Sequence, residues 1–233
     1  LSIDYYRINI TQFIDEPTGQ EALDLCYVLE DAATCSGIVR IGGALTVSGT
    51  GVPALFTNFN FFRAEGLQFG LTTNYDLDNY GVLTFNFNGN YYLSNEFQTT
   101  EASPVVDCNG RYGTSCDPVP QWRHTARLSW GLARYDASIL WRRIGAMEAQ
   151  ENEQAALFPA FREISAQNYF DISAGIQINE YVRLSGLVTN IANKNPPIIG
   201  NETGSTAFNS GNTFPSLYEV LGRVYSVNLR FTF

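Results

Sequence analysis

Between Val82 and Tyr92 the chain alternates with a period of two. Leu83, Phe85, Phe87 and Tyr91 fall on one face; Thr84, Asn86, Asn88 and Asn90 fall on the other. Successive side chains of an extended strand point to opposite sides, so this spacing predicts a strand with one apolar and one polar face. The same pattern returns along the chain. Leu67, Phe69 and Leu71 oppose Gln68, Gly70, Thr72 and Asn74. His124, Ala126, Leu128, Trp130 and Leu132 oppose Arg123, Thr125, Arg127 and Ser129. Phe170, Ile172, Ala174, Ile176 and Ile178 oppose Asp171, Ser173, Gly175 and Gln177. Val182, Leu184 and Val188 oppose Arg183, Ser185 and Thr189. Tyr225, Val227, Leu229, Phe231 and Phe233 close the series against Ser226, Asn228, Arg230 and Thr232. Eight strands are predicted, over 1–13, 59–76, 80–98, 121–134, 136–145, 167–178, 181–191 and 219–233.

The connections alternate in length. Long segments cover 14–58, 99–120, 146–166 and 192–218, and tight turns lie around Asp78-Asn79, Tyr135 and Asn179-Glu180. A soluble sandwich has no reason to place every long connection at one end. Outer-membrane barrels do so, with short periplasmic turns and long extracellular loops. The expected fold class is therefore all-β, an antiparallel transmembrane barrel wall with both chain ends on the periplasmic side. No stretch approaches the run of about 20 apolar residues that a membrane-spanning helix needs. A mean hydropathy of -0.11 fits strands that are apolar on one face only.

Composition narrows the classes. The net charge of -9 argues against nucleic acid as a partner. Lys194 is the only lysine among 14 cations, and arginine suits fixed hydrogen-bonded clusters. Cys26 and Cys35, and Cys108 and Cys116, form two close pairs. Such pairs read as two disulfide loops in an oxidising compartment. The metal alternative lacks partners, since His124 is the only histidine and neither pair has CxxC spacing. No metal or cofactor is expected. The chain starts at Leu1, which points to a removed leader or a missing N-terminal part.

Candidate chemistry is sparse. The carboxylate pairs Asp15-Glu16, Asp76-Asp78 and Glu151-Glu153 sit in turns and loops, without a histidine or lysine to tune them. Arg142 and Arg143 lie near the top of a strand, and one of them must face inward; a ligand clamp and a plain ion pair both remain open. Trp122, Trp130, Trp141, Tyr91, Tyr169 and Tyr181 fit an interfacial girdle, with a sugar-stacking platform as the alternative. Tyr112 and Phe208, in long loops, are the aromatic candidates for ligand contact. No Gly-rich phosphate loop or nucleophile elbow appears, so an enzyme is not expected.

The ending Leu221-Gly222-Arg223 through Phe233 resembles the C-terminal signature of outer-membrane barrels. In that class the last strand, here Tyr225, Val227, Leu229, Phe231 and Phe233, is read by the barrel-assembly machinery. Three further stretches are similar to TonB-dependent receptors. They are Ile3-Asp4-Tyr5-Tyr6-Arg7-Ile8-Asn9-Ile10, Ala64-Glu65-Gly66-Leu67-Gln68-Phe69, and Val188-Thr189-Asn190-Ile191-Ala192-Asn193-Lys194-Asn195-Pro196-Pro197. Their order matches the last third of such receptors. The resemblance implies a 22-stranded barrel around an N-terminal plug that the TonB complex grips, of which residues 1–233 supply eight strands and neither plug nor TonB box. It also implies outer-membrane lipid as surroundings and active uptake of a scarce large solute, such as a ferric siderophore or oligosaccharide. The competing expectation is a stand-alone eight-stranded barrel with a structural, adhesive or lipid-modifying role.

Overall fold

A computed structural model describes residues 1–17, 19–45, 48–52, 56–101, 103–155, 157–200 and 212–232. Phe208 and Phe233 lie outside them. The described chain carries eight long strands and four short ones: β1 (Ser2–Asp15), β2 (Thr57–Asp76), β3 (Val82–Gln98), β4 (Val106–Asp107), β5 (Arg111–Tyr112), β6 (Trp122–Leu132), β7 (Tyr135–Ile144), β8 (Met147–Ala149), β9 (Glu163–Ile164), β10 (Gln167–Gln177), β11 (Val182–Thr189) and β12 (Val224–Phe231). Helices α1 (Gly19–Tyr27), α2 (Ala32–Gly37) and α3 (Glu151–Gln154) lie in the long connections.

The eight long strands form one antiparallel sheet in the order β1-β2-β3-β6-β7-β10-β11-β12, so each pairs with its neighbour in sequence. Neither β1 nor β12 has a second partner among the described residues, and the sheet is an open wall. This is the predicted eight-strand set, with shifted ends. The last strand begins at Val224 rather than 219, because Gly222 turns at φ +69° and the Arg223 amide donates to Asn193 Oδ1 at 3.0 Å. The turn expected at Tyr135 falls at residues 133–134, where Ala133 takes φ +49°; Tyr135 already belongs to β7. Gly81, at φ +93°, closes the turn between β2 and β3, a conformation that favours glycine.

Register separates the two faces cleanly. One row runs Phe85, Leu128, Ile139, Ile172, Val188 and Tyr225 across six strands. Another row, on the opposite face, runs Ser2, Gly70, Asn88, Thr125, Arg142 and Tyr169. The apolar face is open to the surroundings: Leu128 and Ile139 keep 42% and 43% of their surface exposed, where a soluble sheet would bury them.

Aromatic side chains mark two heights on that apolar face. Phe87, Trp122, His124, Trp141 and Phe170 pack against one another in stacked, tilted and edge-on pairs, with ring centroids 4.4 to 6.3 Å apart. Tyr75, Tyr80, Tyr135 and Tyr181 stand exposed around Trp130 at the tight-turn end. Trp122 and Trp130 are eight residues apart on β6, about 26 Å along a strand and roughly 20 Å in height at a tilt near 45°. Beyond the upper row the apolar face becomes charged, with ion pairs Arg7–Glu65 and Arg63–Glu96.

The hydrophobic core lies outside the wall. Tyr112, Met147, Ala149, Ile164, Ile199 and Phe214 are nearly or wholly buried where three of the long connections meet. There β5, β8 and β9 form a second, three-stranded sheet. The long connections between β3 and β6, β7 and β10, and β11 and β12 thus fold into a common cap rather than running as separate loops.

Candidate functional site

The polar face below the cap opens into a cavity of about 490 Å3. Its lining includes the whole polar row from Ser2 to Tyr169, with Arg123 beside it. Strand alternation puts these groups there. Asn88, Thr125 and Arg142 sit opposite one another in register, so their side chains leave the same side of the sheet. Arg123 makes no ion pair or hydrogen bond among the described residues, and Asp4 is a carboxylate in the same lining.

The structure resolves the alternatives open at Arg142. Its Nε and Nη2 donate to Asp171 Oδ2 and Oδ1 at 2.8 and 3.0 Å, and its Nη1 donates to Glu219 Oε1 at 2.6 Å. Its guanidinium also lies over the Tyr169 ring, 5.4 Å from the centroid. Asp171 is nearly buried and also accepts the Asn190 amide at 2.8 Å. The fork is therefore filled by protein carboxylates that tie β7, β10 and the last long connection together. Arg143 takes the other face, where its Nη1 reaches Asn168 Oδ1 at 3.3 Å. Asp171 and Glu219 were missed as its partners, although alternation already set Asp171 on the polar face.

Tyr112, a candidate for ligand contact in the sequence, is fully buried inside the cap. Its ring packs against Phe214 at 5.7 Å and its hydroxyl donates to the Phe161 carbonyl at 2.6 Å. Burial, helped by the charges of Glu153 and Glu163, pushes its hydroxyl up to about 12, so it stays a donor at neutral pH. Phe208 lies outside the described residues. Both cysteine pairs are disulfides, Cys26–Cys35 joining α1 to α2 and Cys108–Cys116 closing the loop around β5. Tyr225, Val227, Leu229 and Phe231 stand exposed on one face of β12.

The carboxylate pairs have local partners. Asp76 accepts the Asp78 amide within a turn, Glu151 pairs with Arg111, and Glu153 accepts the Thr114 amide. His124 sits on the apolar face, where its Nδ1 accepts from Trp122 Nε1 at 2.8 Å. Among the described residues no group of three or more His, Cys, Asp or Glu side chains is arranged to hold a metal.

No family model and no curated protein matches the sequence. Solved structures do. A mutant of the ferric enterobactin receptor PfeA from Pseudomonas aeruginosa matches with a TM-score of 0.59 at 15% identity, over 99% of this chain and 28% of that one. A second PfeA mutant, crystallised with enterobactin, matches with a TM-score of 0.58 at 16% identity, over 99% and 29%. The siderophore receptor PirA from Acinetobacter baumannii gives 0.56 at 11% identity, over 99% and 29%. These neighbours are receptors, not enzymes. The chain spans little more than a quarter of their length, and over that span it has the fold of part of a siderophore receptor's barrel.

Proposed function

We propose that residues 1–233 are eight strands of a TonB-dependent receptor of the bacterial outer membrane, which takes up a scarce large solute of the ferric siderophore or oligosaccharide kind. The observation that carries this reading is the open sheet. In hydrocarbon each unpaired backbone N–H or C=O costs several kcal/mol, so a spanning sheet must close. The free edges of β1 and β12 call for further strands rather than for pairing with each other, which weighs against a stand-alone eight-stranded barrel. The exposed apolar face between two aromatic rows, roughly 20 Å apart in height, supports a lipid belt, and the ion pairs above it support an extracellular rim. The ligands named for the structural neighbours favour a ferric siderophore over an oligosaccharide.

On this reading the cap faces outward, the solute binds beneath or beside it, and the polar face meets a plug domain. The TonB complex acts through that plug, and the barrel-assembly machinery engages β12. The test is uptake in the source bacterium. Deleting the gene that encodes this chain is expected to abolish iron-limited uptake of at least one radiolabelled ferric siderophore. Removing TonB is expected to give the same loss. Unchanged uptake across ferric hydroxamates, ferric catecholates, ferric carboxylates and oligosaccharides would sink the proposal.

A further inference from the structure

We infer that the mouth selects a solute with a positively charged group and disfavours polyanionic ferric complexes. This deepens the receptor reading and rests on it, because that reading makes the long connections the solute's first contact. The first observation is where the charge lies. The eight long strands and their three tight turns carry nine carboxylates and nine cations, so the wall is neutral. The four long connections carry fourteen carboxylates against five cations, so the net charge of -9 belongs to the connections and not to the wall. A field of one sign at the entrance raises the local concentration and on-rate of oppositely charged solutes by about 10- to 1,000-fold and repels like-charged ones.

The second observation is a cavity of about 250 Å3 between the outer ends of β1, β2 and β3 and the Cys108–Cys116 loop. Phe59, Phe62 and Phe97 form its apolar wall, with the Phe59 and Phe97 rings stacked 6.1 Å apart. Asp15, Glu16, Glu21 and Asp117 are its carboxylates, and no arginine, lysine or histidine lines it. Among the described residues Asp15, Glu16 and Asp117 make no ion pair. Desolvation and then the charge of Asp15 hold the Asp117 carboxyl above its usual range. Aromatic faces beside carboxylates suit an ammonium or guanidinium on an apolar stem. In the cavity on the polar face, Arg142 is already held between Asp171 and Glu219, and Arg123 shares the lining with the Asp4 carboxylate.

The test uses the full-length receptor and three probes: a ferric linear trihydroxamate with a free terminal ammonium, the same complex with that amine acetylated, and a trianionic ferric catecholate. Association is followed by stopped-flow protein fluorescence between 50 and 500 mM NaCl, concentrations chosen to span strong and weak screening. The ammonium probe is expected to associate about tenfold faster than its acetylated twin at low salt, with the difference closing at high salt. An Asp15→Asn, Asp117→Asn double variant, checked for native heat-modifiable mobility, is expected to narrow the difference while leaving the acetylated probe unaffected. Equal rates for the twins, or fastest association by the catecholate, would overturn the inference and leave the receptor reading standing. Binding of none of the three, together with unchanged uptake in the deletion strain, would overturn both.

Discussion

Arg142 holds three groups at once: the two oxygens of Asp171, one of Glu219, and the face of Tyr169. Hydrogen bonds to charged groups each contribute about 1.5–3 kcal/mol, and removing one member of a mostly buried pair strands the other. Arg142→Ala is therefore expected to loosen the cap locally by about 2 kcal/mol, a value reduced for the partial exposure of the arginine. The readout is amide hydrogen exchange at Asn190, whose N–H donates to the stranded Asp171; it should speed up roughly thirtyfold. Arg127→Ala, which loses a hydrogen bond to Ser138 on the wall, should leave that amide unchanged. Equal exchange in wild type and Arg142→Ala would show that the fork does not hold the cap. The fork also shows what alternation can reveal. It put Asp171 on the polar face and one of Arg142 and Arg143 inward, but the pairing depends on the β7–β10 register, which no local pattern states.

At the scale of elements, the wall was legible and the cap was not. A period of two sustained over eight or more residues, interrupted by turn residues, defines each long strand and its faces. The strands of the cap are two or three residues long, too short to show a period, and β5 pairs with β8 across the whole of β6 and β7. Its burial of Tyr112 could not be read locally for the same reason. Helix α1 did leave a signal, since Ala22, Leu25 and Cys26 are spaced i, i+3, i+4 and are all buried. The disulfides divide in the same way. Cys108 and Cys116 are both buried beside the cap, whereas Cys35 is partly exposed within α2. Mild reductant is thus expected to open Cys26–Cys35 first and to spare Cys108–Cys116 until the cap unfolds, as mass spectrometry after alkylation would show. Replacing Cys108 and Cys116 by serine frees a loop eight residues in separation, worth about 2.5 kcal/mol in the chain-entropy account. Because the strands pair independently of that loop, the cap should lose protection while heat-modifiable mobility of the barrel persists. Simultaneous loss of both would mean that cap and wall fold as one unit.

For the molecule as a whole, the two faces of the wall demand different surroundings. The row from Phe85 through Leu128, Ile139 and Ile172 to Val188 and Tyr225 is apolar on every strand it crosses. Leu128 and Ile139 keep over two-fifths of their surface uncovered. In water this continuous face would aggregate; between two aromatic rows it matches a lipid belt. A charge placed midway must then pay the hydrocarbon transfer penalty, about 2–4 kcal/mol for arginine near the bilayer midplane. Ile139→Arg is expected to lower the unfolding free energy of the full-length receptor in lipid vesicles by that amount, measured by reversible denaturant titration. Asn88→Arg, on the polar face beside Thr125, avoids lipid and should cost less than about 1 kcal/mol. If the two substitutions cost the same, the apolar face is covered by protein rather than lipid, and the membrane orientation assigned to the wall is wrong. If Ile139→Arg alone is penalised, the alternation read from residues 82–92 extends to the whole assembly: aromatic and aliphatic side outward, amide and arginine side inward.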